Sequence, residues 1–153
     1  VFQSRPLPAR RRTRLAASAY RERHVYLTIC TFQRRDLFGV VRREGRTARV
    51  ELTTVGDAVR EEWAYHVARL CKGGDAFVIM PNHLHGIVRL GKCRLAAFVG
   101  AFKASVSSRT ARENDDGVKR VWERGYYDRA IRTHTELQAM REYIAANPMR
   151  WLP

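Results

Sequence analysis

Acidic residues are scarce in this chain. Against 29 Lys and Arg stand 15 Asp and Glu, so 153 residues carry a formal charge of +14. That excess exceeds what solubility requires and points to a polyanionic partner, nucleic acid first. An anionic membrane surface would call for a basic amphipathic helix or a lipidation signal, and the sequence holds neither. Nor does any apolar run approach the ~20 residues that span a bilayer. Cysteine is sparse as well: Cys30, Cys71 and Cys93 are odd in number, widely spaced, and within or beside apolar segments. That usage fits reduced structural thiols in a cytoplasmic protein, and no zinc motif is among them. No internal repeat or Pro/Gly-rich linker interrupts the chain. Its length and 45% hydrophobic content therefore predict one globular domain with a real core.

What is present begins with arginine. Residues 1–23 hold Arg5, Arg10, Arg11, Arg12, Arg14, Arg21 and Arg23, with Pro6 and Pro8 opposing early regular structure. They read as a flexible basic arm, either lying along phosphates or a solvated tail, ahead of a single domain over 24–153. The arm has no apolar core of a secretory leader, so no targeting role is expected.

Hydrophobic periodicity then sets out the elements. Residues 24–32 read as a strand. Residues 38–43 and 47–53 flank Glu44-Gly45-Arg46 as a basic hairpin. Residues 54–70 have helical period, with Thr53 or Thr54 as N-cap and His66 as a surface or edge histidine. Lys72-Gly73-Gly74 ends that helix, and 76–80 begins a buried strand that turns at Pro81-Asn82. After a break at 91–94, residues 95–112 form a helix with Leu95, Phe98, Val99, Phe102, Val106 and Thr110 inward. Lys103, Arg109 and Arg112 are left there for solvent or phosphate. A polar loop over 113–117 leads to an extended segment, 121–132, where adjacent Tyr126 and Tyr127 face opposite ways, one toward the core and one free to stack on a base. A last helix over 136–148, with Leu137, Met140 and Ile144 as its apolar stripe, stops at Pro148. The order predicts an α+β fold with helices on one face of a mostly antiparallel sheet.

Two stretches are candidates for chemistry, each with an ordinary alternative when taken alone: half-exposed histidines on the open face of a strand, and a tyrosine at a helix edge beside a C-terminal asparagine. In Met80-Pro-Asn-His-Leu-His-Gly-Ile-Val-Arg-Leu90, strand alternation points His83 and His85 the same way, roughly 6 to 7 Å apart along the backbone, and Leu84, Gly86 and Val88 the other. Such a pair can chelate one divalent ion. In the last helix Tyr143 and Asn147 stand one turn apart on one flank, a potential nucleophile and a neutral oxygen ligand. His24, His66 and His134 have no spacing that would complete a purely histidine or carboxylate metal site, which argues against a metal-dependent hydrolase.

Taken together these stretches resemble the single-tyrosine HUH transposases of the insertion-sequence type, most closely their chromosomal relatives, the REP-associated tyrosine transposases. The likeness runs in family order through Tyr26-Leu-Thr-Ile-Cys-Thr-Phe-Gln-Arg-Arg-Asp-Leu-Phe38, Met80-Pro-Asn-His-Leu-His85, Phe102-Lys-Ala-Ser105, Val121-Trp-Glu-Arg-Gly-Tyr-Tyr-Asp-Arg-Ala-Ile-Arg132 and Arg141-Glu-Tyr-Ile-Ala-Ala-Asn-Pro148. It implies a ferredoxin-like antiparallel sheet with the C-terminal tyrosine helix laid against the histidine strand. It implies His83 and His85 as a metal pair for Mg2+ or Mn2+, Tyr143 as the nucleophile, and Asn147 as third ligand where insertion-sequence relatives often carry Gln. The expected activity is metal-dependent cutting and rejoining of single-stranded DNA at REP-like hairpins through a 5′-phosphotyrosine, by a monomer or a homodimer. Arg10, Arg11, Arg12 and Arg14 are then candidates for the hairpin stem, and Tyr126, Arg129 and Arg132 for the strand near the scissile phosphate. The alternative is a hairpin-DNA-binding protein or repressor that has lost cleavage, against which all four catalytic positions are intact.

Overall fold

A computed structural model describes residues 23–113 and 117–153. Along them run β1 (His24–Cys30), β2 (Gly39–Glu44), β3 (Thr47–Leu52), α1 (Thr54–Leu70), β4 (Gly73–Met80), β5 (His83–Arg89), α2 (Leu95–Glu113), β6 (Tyr127–Ile131) and α3 (His134–Trp151). Arg10, Arg11, Arg12 and Arg14, the core of the predicted basic arm, lie outside the described residues.

Strands β4, β5, β1 and β6 pair in that order, antiparallel throughout, and β2 and β3 form a separate hairpin. Leaving that hairpin aside, the succession β1-α1-β4-β5-α2-β6 with the first strand central is the split β-α-β arrangement of a ferredoxin-like sheet. Central β1 is a run of β-branched and aromatic residues, buried from Val25 to Ile29.

Alternation divides the sheet. Val25, Leu27 and Ile29 of β1 and Leu84 and Val88 of β5 join Val55, Val59 and Trp63 of α1 and Phe98, Val99, Phe102 and Val106 of α2 in one large core. Tyr26, Ile87 and Ile131 instead join Leu137 and Ile144 of α3 in a smaller cluster. So α1 and α2 share one face, while α3 crosses the other against the histidine strand. Gly86 makes the first packing possible, because a Cβ there would stand 2.4 Å from Cζ2 of Trp63, whose ring stacks on Phe77.

Local chemistry accounts for most boundaries. Thr53 caps α1, its Oγ1 accepting from the Gly56 N–H at 3.1 Å, and Gly45 turns the hairpin at φ 61°. Four predictions need correction. The strand β4 starts at Gly73 and carries a register shift between Gly74 and Phe77, so the paired glycines open the strand rather than only ending the helix. The last helix begins earlier, at His134, because Thr133 accepts from the Glu136 N–H (3.1 Å) and Glu136 Oε2 accepts from the Arg132 N–H (2.9 Å). It also runs on through Pro148 to Trp151. Proline there forfeits only the N–H that would reach the Ile144 carbonyl, one turn from the helix end, and its ring is itself buried. Finally His66 is buried, with Nδ1 at 2.8 Å from the Glu62 carbonyl and Nε2 at 3.3 Å from Ser105 Oγ, linking α1 to α2.

Two cations expected to stay available are engaged in the fold. Lys103 Nζ donates to the Glu123 and Gly125 carbonyls at 2.9 and 2.6 Å, fixing the segment before β6. Arg109 pairs with Glu61 and Glu113 across the α1–α2 surface.

Candidate active site

The face under α3 collects most of the polar groups that the sheet buries. Thr28, His85 and Asn147 are all buried there. On β1, Tyr26 and Thr28 alternate with core residues and so point toward α3. In the β1–β5 register Thr28 lies opposite His85, and Cys30 opposite His83.

These partners orient the two imidazoles. His83 Nδ1 lies 2.8 Å from Asn82 Oδ1, while Asn82 Nδ2 donates to the Arg34 carbonyl at 3.3 Å. With the amide nitrogen facing a carbonyl, its oxygen faces His83, so His83 Nδ1 carries the proton and Nε2 keeps its lone pair. His85 Nδ1 lies 2.7 Å from the Tyr26 hydroxyl and 2.8 Å from Thr28 Oγ1. Thr28 can accept from that nitrogen while donating to Tyr26 at 3.4 Å, which leaves His85 Nε2 with its lone pair as well. The two Nε2 atoms then face one another at 3.1 Å. Two ligand atoms about 2.1 Å from one ion, at a right angle, stand about 3.0 Å apart. The pair thus fits a chelated divalent cation, with both outer nitrogens held by hydrogen bonds as those of metal-ligating imidazoles are.

Burial holds both imidazoles neutral. It pushes His83 well below the ordinary imidazole value, where a proton on His85 would oppose one on His83 and the charge of Arg34 adds, and it lowers His85 similarly, again with Arg34 adding. Tyr26 is pushed up to about 12, chiefly by burial, so its hydroxyl stays protonated as a hydrogen-bonding strut.

Helix α3 brings Tyr143 to the pair, its ring centroid 5.6 Å from that of His85. The helix is tied down at mid-length by Arg141, whose Nε and Nη2 donate to Asp75 Oδ1 and Oδ2 at 2.7 and 2.6 Å. Those hydrogen bonds hold the Asp75 carboxyl well below the usual range, at about 2. The turn beyond Pro148 sets Arg150 over the Tyr143 ring, 5.1 Å from its centroid, and Trp151 at 6.0 Å from the His83 ring.

Other predicted residues fall elsewhere. Asn147 is buried one turn beyond Tyr143, and its amide Nδ2 donates to the Tyr143 carbonyl at 2.7 Å; no hydrogen bond joins it to either imidazole among the described residues. Tyr126 packs against the large core, whereas Tyr127 is exposed and meets Tyr26 edge-on at 6.4 Å, so the tyrosine on the site side is Tyr127. Arg129 shares that face but pairs with Glu136 at 3.5 Å. Arg132 lies remote from the histidine pair. Ile131 pairs with His24, at the opposite end of β1 from Cys30 and His83, roughly 20 Å away at about 3.3 Å per strand residue. The hairpin is partly neutralised too, Arg42 pairing with Glu51 and Arg49 with Glu44.

Sequence reasoning missed Tyr26, Thr28, Asn82, Arg34, Arg150 and Trp151. Hydroxyls at alternate positions of an otherwise apolar strand were the readable signal for Tyr26 and Thr28. No signal marks the others without the pairing of β1 with β5 and the extra turn of α3.

Comparisons with known proteins bear on the fold and the family. The family described as "Transposase IS200 like" matches residues 24–147, which span the histidine strand, Tyr143 and Asn147. An uncharacterized protein of Haemophilus influenzae is 33% identical over 171 residues, covering 93% of this chain and 89% of its own. Among solved structures, a REP-associated tyrosine transposase bound to a REP hairpin superposes with a TM-score of 0.65 at 19% identity, over 94% of this chain and 74% of that one. A presumed transposase of Deinococcus radiodurans gives 0.52 at 16% identity, over 78% and 87%. Both likenesses concern the fold. With the family match running from the first strand through Asn147, the chain belongs to the IS200-like transposase family.

Proposed function

We propose that this transposase cuts and rejoins single-stranded DNA at REP-like hairpins, Tyr143 attacking the scissile phosphorus. The observation that carries the reading is the convergence of two inward-facing imidazole nitrogens and one tyrosine within a single chain. The Tyr143 oxygen forms a bond to phosphorus, the bond from phosphorus to the 3′ oxygen breaks, and the phenolic proton passes by way of solvent to that leaving oxygen. The product is a 5′-phosphotyrosine and a free 3′-OH. Because the new ester keeps the energy of the old one, another 3′-OH can reverse the step and join a different strand.

His83 and His85 would hold a divalent ion, Mg2+ or Mn2+, which when bound supplies charge neutralisation at the phosphate. Only two protein nitrogens converge, and no cluster of three His, Cys, Asp or Glu occurs among the described residues, so open positions would remain for phosphate and water. Asn147 remains our candidate for a third ligand, its oxygen being the donor atom left over by the bond to the Tyr143 carbonyl. Tyr127, at the site edge, is a better base-stacking surface than Tyr126. Arg10, Arg11, Arg12 and Arg14 keep their proposed place along the hairpin stem, and the charge of +14 supports the nucleic-acid partner.

The test is incubation with single-stranded oligonucleotides from the flanks of the chain's own gene in manganese, followed by denaturing gels. A covalent adduct is expected, with the nucleotide mapping to Tyr143. Tyr143→Phe should eliminate it while hairpin affinity stays within a few fold, since one hydroxyl is lost from a helix flank. A nucleotide found on Tyr126 or Tyr127 overturns the choice of nucleophile.

A further inference from the structure

The turn that follows β1 is built against a steric cost. Gln33 and Arg34 have φ of 53° and 55°, and they are the non-glycine residues with positive φ among those described. Neither is Asn or Asp, whose side chains tolerate this backbone best. Such strain persists only where the surroundings over-determine it. Here the Thr31 N–H donates to the Asn82 carbonyl at 3.0 Å, the Phe32 N–H to the Val121 carbonyl at 2.9 Å, the Gln33 N–H to Glu123 Oε2 at 3.2 Å, and Asn82 Nδ2 to the Arg34 carbonyl at 3.3 Å.

What the turn achieves is the direction of one side chain. The chain doubles back, and Arg34 Nη1 comes to 2.9 Å from Cys30 Sγ. Cys30 alternates with Tyr26 and Thr28, so it stands on the site face, and its strand partner is His83. The guanidinium is thereby held at the residue that pairs with His83 across the two strands. The same Asn82 that receives the strained turn orients His83.

A second guanidinium stands at the tyrosine. Arg150, on the turn beyond Pro148, stands over the Tyr143 ring at 5.1 Å. Arg42, Arg49, Arg109 and Arg141 are paired with carboxylates, but Arg34 and Arg150 take part in no ion pair among the described residues. Both are exposed. Two uncompensated forks therefore flank the nitrogens and the ring that define the site.

We infer that Arg34 and Arg150 clamp the DNA phosphate that Tyr143 attacks, Arg34 from the imidazole side and Arg150 from the tyrosine side. The inference rests on the tyrosine-transfer reading and adds to it the groups that neutralise the non-bridging oxygens. A planar fork can donate twice to such oxygens, and its charge counts most as negative charge builds at phosphorus. The left-handed turn at Gln33 and Arg34 holds one fork in place before substrate arrives, and the helical turn past Pro148 carries the other.

Arg34→Asn, Arg34→Lys and Arg150→Gln separate the possibilities, each checked for folding by circular dichroism. Asn keeps the left-handed backbone and removes the charge. The probe is a hairpin oligonucleotide from the gene's flank, read in two ways. In equilibrium binding, each neutral variant should lower the slope of log K against log salt by about 1, the loss of one phosphate contact. In single-turnover reactions, each should slow adduct formation on the order of a hundredfold, and added guanidinium ion should restore part of the rate to Arg34→Asn but not change the native chain. Should Arg34→Asn fail to fold, Arg34→Lys carries the test, keeping the slope and losing rate with the fork. Adduct formed at native rates by Arg34→Lys and Arg150→Gln overturns the clamp and leaves Tyr143 standing. No adduct from the native chain sinks the tyrosine reading instead, and unchanged salt slopes then overturn the clamp independently.

Discussion

The two faces of the sheet are made by the same strands and hold opposite chemistry. From β1, Val25, Leu27 and Ile29 enter a core closed by Phe98, Phe102 and Trp63, while Tyr26 and Thr28, the residues between them, bind the Nδ1 of His85. From β5, Leu84 and Val88 take the first side, and His83, His85 and Ile87 the second. The first face contributes apolar burial that needs no further partner. The second buries polar groups whose hydrogen bonds are spent on orientation, with two nitrogen lone pairs left over. One period-2 backbone thus keeps apolar burial and oriented polar groups on separate sides, so damage to one should leave the other measurable.

The sharpest way to test that separation is on the site face. His83→Ala or His85→Ala should slow adduct formation by about a thousandfold or more while hairpin affinity stays within a few fold, as expected of groups that act in the transition state. A chelator should do the same to the native chain. Full cleavage by the double variant in chelator would remove the ion from the mechanism.

On the core face, Phe102→Ala empties a fully buried ring site and should destabilise by roughly 3–5 kcal/mol, read from the denaturant midpoint. The adduct rate per folded molecule should stay native. A proportionate loss of rate in the folded fraction would mean the faces are not independent.

Gly86→Ala probes the seam, since the residue lies next to His85 and its new Cβ would meet Trp63 at 2.4 Å. Overpacking of this kind costs roughly 1–3 kcal/mol, and here it should also displace β5 enough to lower the adduct rate several-fold. Loss of stability with a native rate would show that the strand absorbs the clash on the core side alone.

The smallest effect belongs to the strut between α3 and β4. Asp75, held at about 2 by Arg141, has a depressed folded value, so its stabilisation is complete above the unfolded value of about 4 and fades as pH falls toward 2. Asp75→Asn should lower Tm at pH 7 and have a diminishing effect on acidification. An equal drop in Tm at pH 7 and near pH 2 would show that the carboxylate charge is not what ties the helix.

Much of this arrangement was legible in the residues alone. Alternation placed His83 and His85 together and Leu84, Gly86 and Val88 opposite. Helical period named the inward residues of α2, from Leu95 to Thr110, and four-residue spacing put Tyr143 and Asn147 on one flank. Both ends of α3 were misread: its start at His134 was missed although Thr133 and Glu136 cap it, and Pro148 masked its end because proline's local penalty says nothing of what packs beyond it. These are properties of backbone periodicity and capping, which a few neighbouring residues decide. Pairing register is different. It decided that Tyr127 rather than Tyr126 faces the site, that Arg132 ends at the far edge of the sheet, and that Cys30, and with it Arg34, lies beside His83. Two adjacent side chains in a strand must point apart, but which of them meets a helix depends on partners up to a hundred residues away. The sequence by itself determined which residues travel together; the tertiary structure decided what each group meets, because register and crossing helices are set by long-range burial that no local window contains.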